Sequence, residues 1–294
     1  MVPERGLALT PLRPVERVLA AYLAFTSAVA AVRLPQRPGA VWVLASNALI
    51  AVLLVLLPRA GASTRAGNLR RMTPLLILAG LYSQVDLLNG SGAASTHDAL
   101  IQHWEQLLFG MQPSRDWWRA APAAFWSTLF HGAYLSFYPL VAISPLAFML
   151  RHDERSLERS VLWGITTFLA CYVVFILFPV AGPYYEFPRP TGPFVQNPMA
   201  RLVYAALSRG SAYGAAFPSS HVAAAVVLTG SAYAGSRRLG WALVLPTLLL
   251  TVGVVYCQMH YAIDAIAGLA VGIGIVALGR ELERGSGPGV PGSG

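Results

Sequence analysis

The chain has 294 residues, of which 55% are hydrophobic and only 12% charged, and its mean hydropathy is +0.55. A soluble domain carries about a quarter charged residues, so this composition excludes a soluble globular protein and points to an integral membrane one. The net charge of +8 rests on arginine alone, since the chain has no lysine. Those arginines fall between apolar runs, where membrane topology rather than nucleic acid accounts for them.

A transmembrane helix takes about 20 mostly apolar residues. Eight runs qualify, at 16–32, 40–57, 72–88, 122–149, 160–181, 219–235, 240–257 and 260–279. They predict an all-α, polytopic membrane helix bundle of about eight spans. The first run is followed by no small-residue cleavage site and reads as an uncleaved anchor. With the second it forms an N-terminal unit over 1–71, ahead of a six-helix core over 72–280. The third run is the weakest, carrying Gln84 and Asp86 near its end. The fourth is long and is expected to tilt or break at Pro139 and Pro145. Between them, 97–110 has apolar residues at helical spacing (Leu100, Trp104, Leu107, Leu108) and reads as an amphipathic helix lying at the interface. Residues 182–218 form a long loop rich in Gly, Pro and Tyr, a length that favours function. The Gly/Pro/Ser-rich tail, 281–294, is expected to be disordered. Cys171 and Cys257 both lie inside apolar runs, so neither a disulfide nor a metal site is expected, and no cofactor is implied.

With the N-terminus in the cytoplasm, the inner segments hold Arg5, Arg13, Arg17, Arg59, Arg65, Arg70, Arg71, Arg151, Arg155, Arg159, Arg237, Arg238, Arg280 and Arg284. The outer ones hold Arg33, Arg37, Arg115, Arg119, Arg189, Arg201 and Arg209. This inward excess places both termini in the cytoplasm. Residues 89–121 and 182–218 then face the outside.

Chemistry concentrates at the starts of the sixth and eighth runs. In His260-Tyr261-Ala262-Ile263-Asp264 the His and Asp are four apart and share a helix face. The carboxylate can hold one ring nitrogen and leave the other free as a nucleophile. A pair that merely caps the helix is the alternative. In Phe217-Pro218-Ser219-Ser220-His221 the Pro and serines suit a first helical turn, whose free N–H groups suit phosphate. His221 then stands as acid and base, and Ser219, Ser220 and Tyr261 as substrate contacts; a Ser-capped helix with an interfacial His is again the alternative. The two motifs are one span in and one span out apart, with a turn at Ser236-Arg237-Arg238, so both reach the outer side.

Together, Phe-Pro-Ser-Ser-His and His-Tyr-Ala-Ile-Asp-Ala-Ile-Ala-Gly resemble the second and third motifs of the type 2 phosphatidic acid phosphatase superfamily. The resemblance covers roughly residues 72–279. It implies that His260 is the nucleophile forming a phosphohistidine, that Asp264 orients it, and that His221 protonates the leaving group. The phosphatase members carry Ser-Arg ahead of the third motif, where this chain has Gly253-Val254. Their first motif is a Lys, six residues and Arg-Pro. Arg189-Pro190 matches its end, but the Lys position is Gly182. This departure is similar to the inositol phosphorylceramide synthase branch and related sphingolipid synthases, which pass a phosphorylated head group between lipids. The runs Leu107-Leu108-Phe109-Gly110-Met111-Gln112-Pro113-Ser114 and Phe178-Pro179-Val180-Ala181-Gly182-Pro183 also resemble that branch.

A phosphodiester donor carries one charge and needs fewer cations than a phosphomonoester, although some positive charge is still wanted as the transition state forms. Arg189 is the first candidate, then Arg209 and Arg115, each with a solvated or headgroup-contacting role as the alternative. His131, on one face with Tyr134 and Tyr138, is an intramembrane candidate by default. Asp86 is a candidate contact to a head-group hydroxyl, or a helix cap. Gly268-x-x-x-Gly272 reads as a close packing face. The leading expectation is a membrane phosphotransferase using a phospholipid donor and a lipid-alcohol acceptor in a bacterial plasma membrane, with its site on the extracytoplasmic side. The alternatives are a lipid phosphate phosphatase using the same triad, and a non-catalytic transporter or scaffold. Few midplane charges and no paired halves speak for the last.

Overall fold

Sixteen helices and their connections carry the described residues, which in the computed structural model are 12–57, 64–89, 96–210 and 212–285. In chain order the helices are α1 (Pro14–Arg33), α2 (Val41–Leu56), α3 (Thr64–Leu76), α4 (Leu78–Ser83), α5 (Val85–Leu88), α6 (Asp98–Phe109), α7 (Pro113–Ala120), α8 (Ala124–Leu135), α9 (Phe137–Leu150), α10 (Glu154–Leu177), α11 (Pro183–Glu186), α12 (Pro193–Gln196), α13 (Pro198–Gly210), α14 (Ser220–Gly235), α15 (Arg237–Tyr256) and α16 (Ala262–Gly285). No strand occurs among the described residues, so the fold is the all-α membrane bundle that the composition predicts.

Five helices are long and apolar enough to cross a membrane: Pro14–Arg33, Pro38–Leu56 (α2 with one preceding 3-10 turn), α10, α15 and α16. The pair α8 and α9, bent by 40°, makes a sixth if taken as one span. The other two expected runs are helical but differ from continuous long spans. The run at 219–235 is the 16-residue α14. The run at 72–88 is broken into the end of α3, then α4 and α5. Its Gln84 explains the polar residue there, since Gln84 Nε2 donates to Ser46 Oγ (2.9 Å) and Asn47 Oδ1 (3.0 Å). Asn47 in turn donates to Thr26 on α1 (2.9 Å). The fourth run breaks at Ser136, ahead of Pro139 rather than at it; Pro139 sits in the first turn of α9, where its missing N–H costs nothing, and Pro145 stays inside that helix.

The bundle is organised around two helices. The 24-residue α10 starts with Asp153 capping Ser156 N–H at 3.0 Å and is buried along most of its length. Beside it α14 carries Ala223, Ala224 and Ala225, all fully buried, so its neighbours approach closely. Gly268 and Gly272 of α16 are the counterpart. A Cβ at Gly268 would stand 2.5 Å from the Ser219 carbonyl oxygen, and one at Gly272 2.8 Å from Val226 Cβ. The glycine pair is thus the packing face its spacing predicts.

Ion pairs gather at the far end of α10 and α16. Arg70 grips buried Glu16 through two bonds of 2.7 Å, Arg71 pairs with Glu154 and Glu158, and Arg159 holds Glu283 at 2.6 and 2.8 Å. That last pair keeps α16 helical through Gly285, so 281–285, expected in the tail, are helix; 286–294 lie outside the described residues. The expected interfacial helix is α6, which ends at Gly110 in the left-handed conformation (φ +68°). The loop over 182–218 is less irregular than its Gly/Pro content suggests, because α11, α12 and α13 occupy it. Asn197 starts α13 by accepting from Ala200 N–H at 3.0 Å.

Candidate active site

The first turns of α14 and α16 lie side by side. Ser219 caps α14, its Oγ accepting from Val222 N–H at 3.4 Å, which puts His221 in the first turn. The chain leaves α15 at Tyr256 and reverses through 257–261, a turn that places Gln258 in the left-handed region at φ +59°. Such a conformation costs a non-glycine residue about 1–2 kcal/mol. It is held by three bonds: Gln258 Nε2 donates to the Pro183 and Pro188 carbonyls (3.2 Å each), and Gln258 Oε1 accepts from Trp118 Nε1 (2.9 Å). His260 emerges from this turn just before α16. The Ser219 N–H donates to the Asp264 carbonyl at 2.9 Å and locks the two helix starts together.

His260 Nδ1 is 2.9 Å from the Ala216 carbonyl oxygen and 3.5 Å from Asp264 Oδ2. A carbonyl can only accept, so Nδ1 carries the proton and Nε2 keeps its lone pair. Nε2 is 3.4 Å from Nδ1 of His221. The ring of His221 is held by Tyr134, stacked at 5.0 Å between centroids, and by Phe137 at 4.2 Å. The three residues singled out by the sequence are therefore brought together. One detail is corrected: the nearest acceptor to the His260 ring is the Ala216 carbonyl, not Asp264. The closer bond of Asp264 Oδ2 is accepted from Tyr261 N–H at 2.8 Å, and its buried Oδ1 has no hydrogen-bond partner among the described residues.

A cavity of about 430 Å³ opens over the two imidazoles. Ser220, His221 and His260 line it together with six tyrosines, Tyr82, Tyr134, Tyr138, Tyr172, Tyr184 and Tyr185, and apolar side chains such as Leu78, Val141 and Phe168. No arginine is among the described residues that line it. An α-helix leaves the N–H groups of its first turn without intrahelical partners; at α14 that of Val222 is taken by Ser219 Oγ, and Ser220 and His221, the first two helical residues, line the cavity. At α16 the equivalent groups are taken: Asp264 accepts from Tyr261 N–H, and Glu105 Oε1 accepts from those of Ala262 and Ile263.

The remaining expected contacts lie elsewhere. Ser219 is fully buried as the α14 cap and does not line the cavity. Arg189 is exposed and stacks its guanidinium 4.4 Å over Tyr184, one residue removed from the cavity. Arg115 is bound to Asp116 at 2.7 Å, and this pairing holds the Asp116 carboxyl below its ordinary range. Arg209 belongs to α13, with its side chain outside the described residues. Asp86 accepts from the Tyr213 backbone N–H and so supports the connection into α14 rather than reaching the cavity. His131 is buried with Nδ1 against Ser127 and faces Phe194 and Tyr204, away from the cavity. The Tyr261 hydroxyl donates to Asp98 (3.1 Å) and accepts from Gln102 (2.9 Å) beneath the site.

The positions departing from the phosphatase motifs are fixed by packing. Gly182 has φ +96°, and a Cβ there would meet Ala216 Cβ at 3.0 Å. A Cβ at Gly253 would meet the Phe130 carbonyl oxygen at 2.9 Å, and Val254 is fully buried. A side chain at Gly182 or Gly253 is thus crowded at its first atom. Sequence reasoning missed Asp98 and Glu105, buried acids on α6, and the Ala216 carbonyl. Burial pushes the Glu105 carboxyl up to about 7 although two backbone N–H groups pull it down. Two acids seven apart on an otherwise amphipathic helix were the available signal, hidden because that spacing equally fits a solvated face.

A family model described as the PAP2 superfamily matches residues 98–278, which span α6 to α16 and take in the whole site. No curated protein and no solved structure matches the chain.

Proposed function

Because the chain belongs to the PAP2 superfamily, whose members are phosphatases or phosphotransferases, we propose that it moves a phosphorylated head group of the inositol phosphate type from a phospholipid to a lipid hydroxyl. His260 Nε2 attacks the phosphorus. The bond from phosphorus to the diacylglycerol oxygen breaks, and that oxygen takes a proton from His221. The acceptor hydroxyl then gives its proton to His221 and attacks the phosphohistidine. The phosphorus–nitrogen bond breaks and His260 regains its lone pair. Ala216 holds the Nδ1 proton throughout, and Asp264, 3.5 Å away, balances positive charge on the ring. The N–H groups at the start of α14 and the Ser220 hydroxyl face the phosphoryl oxygens.

The observation that carries this reading is the cavity itself, which brings two imidazoles, hydroxyls and apolar walls together and, among the described residues, is lined by no arginine. A dianionic monoester buried in such walls lacks compensation. A singly charged diester asks for less, and the apolar walls suit lipid chains. The arginine bias supports an extracytoplasmic position for this end of the bundle, with both termini in the cytoplasm.

The test is the purified full-length protein in liposomes containing phosphatidylinositol labelled in its head group and a lipid alcohol. Label moving to the acceptor supports the reading, and His260→Ala abolishes the transfer. Release of inorganic phosphate from phosphatidic acid, with no transfer of label, overturns it in favour of hydrolysis.

A further inference from the structure

Helix α6 presents two acids to the protein and an apolar stripe to its surroundings. Asp98 and Glu105 are seven residues apart, two turns, and so share one face. Both are buried, at 3% and 0% exposure, whereas Leu107 and Leu108 on the outer side are 72% and 60% exposed. Burying a carboxylate is costly unless its bonds are made; the bonds these acids make go to groups that frame His260, while the buried Glu105 Oε2 has no hydrogen-bond partner among the described residues. Asp98 accepts from Ala181 and Gly182 N–H at 2.8 Å each and from the Tyr261 hydroxyl. Gly182 packs on Ala216, the residue whose carbonyl fixes the His260 ring. Glu105 accepts from Ala262 and Ile263 N–H, two of the three residues between His260 and Asp264.

A helix start needs no second carboxylate when Asp264 already caps it from within. Glu105 adds an anchor on a separate element. Without it, α6 holds the start of α16 only through the Tyr261 hydroxyl, which is bonded to Asp98 and Gln102. We propose that Glu105, with Asp98, is a positioning residue for the phosphoryl transfer: α6 clamps the segments on either side of His260 and holds its Nε2 in line for attack. This rests on His260 being the nucleophile, as in the reading above.

The experiment compares Glu105→Ala, Glu105→Gln and Asp98→Ala in the full chain. The readouts are kcat and KM for head-group transfer from phosphatidylinositol, thermal unfolding, and amide hydrogen exchange. In Glu105→Ala kcat falls by about 100-fold, the scale of a displacement near 1 Å in a reacting group, while KM stays within about threefold. Exchange quickens at 261–264. Glu105→Gln keeps an acceptor oxygen and recovers most of the rate. Retention of kcat in Glu105→Ala, or a loss no larger than the loss of folded protein, overturns the proposal. Failure of the transfer reading shows separately, as a wild type that only hydrolyses phosphatidic acid; the Glu105 comparison is then made on that hydrolysis.

Discussion

Replacing Gly268 by alanine should damage catalysis far more than its single methyl suggests. The new Cβ would stand 2.5 Å from the Ser219 carbonyl oxygen and 3.2 Å from Val222 Cβ. Both atoms belong to the start of α14, where His221 sits, and Gly268 lies one turn beyond Asp264. Relief requires α16 to move off α14 by several tenths of an ångström, at the level where Ser219 N–H meets the Asp264 carbonyl. Overpacking of this kind costs about 1–3 kcal/mol, which lowers the melting temperature by roughly 5 °C. The separation of His221 and His260 changes with it, and kcat should fall by about 10- to 100-fold. Gly274 on the same helix is the control, because a Cβ there meets nothing within 4 Å. Gly274→Ala should keep full activity and gain up to about 1 kcal/mol of helix stability. Parallel measurement of head-group transfer and thermal unfolding in detergent decides the matter. If Gly268→Ala behaves like Gly274→Ala in both, the close α14–α16 contact does not set the geometry of the site.

Three further outcomes follow from the arrangement of side chains. His221→Ala should lower kcat by about 100- to 10,000-fold with a natural lipid donor, and by much less with a donor whose leaving group is a nitrophenol, which departs without a proton; equal losses with both would remove His221 from the acid role. Asp264→Asn should cost less than the roughly 10,000-fold seen where a carboxylate alone sets a histidine tautomer, because Ala216 already holds the Nδ1 proton at 2.9 Å; a loss of that size, read from kcat, would show that the carbonyl does not suffice. Glu105 has its carboxyl raised from 4.5 to about 7 by burial, with Asp264 and Asp116 the nearby acids adding to the rise. A raised folded-state value gives stability that is complete below the ordinary range and is lost as pH rises through 7. The melting temperature of Glu105→Gln should therefore gain on that of the wild type between pH 5 and pH 8, and a constant difference across that range would refute the shift.

How much was legible in the sequence differs between elements. The apolar runs, the glycine pair of α16 and the amphipathic α6 were readable because period and composition are local properties. The break in the fourth run was placed too late, since Pro139 is tolerated in a first helical turn and the bend falls three residues earlier, at Ser136. The third run read as a span, but its Gln84 donates from Nε2 across to α2 and the helix breaks there. The triad was visible because each motif carries its residues within five positions, and the alternation of spans brings both motifs to one face.

The sequence by itself determined an all-helical membrane protein, the superfamily motifs and the three residues at their centre. Only the tertiary structure decided what surrounds them. Arg189, the first candidate, and Arg115, behind it, were both read from charge, and packing sets one on Tyr184 and the other on Asp116. Glu105, unremarkable on an amphipathic stripe, became a buried acid at the start of α16. Hydrogen bonds between residues more than a hundred positions apart leave no period in a sequence. The partner that fixes the His260 ring is a backbone carbonyl, a group every residue has, so only the fold could single out Ala216.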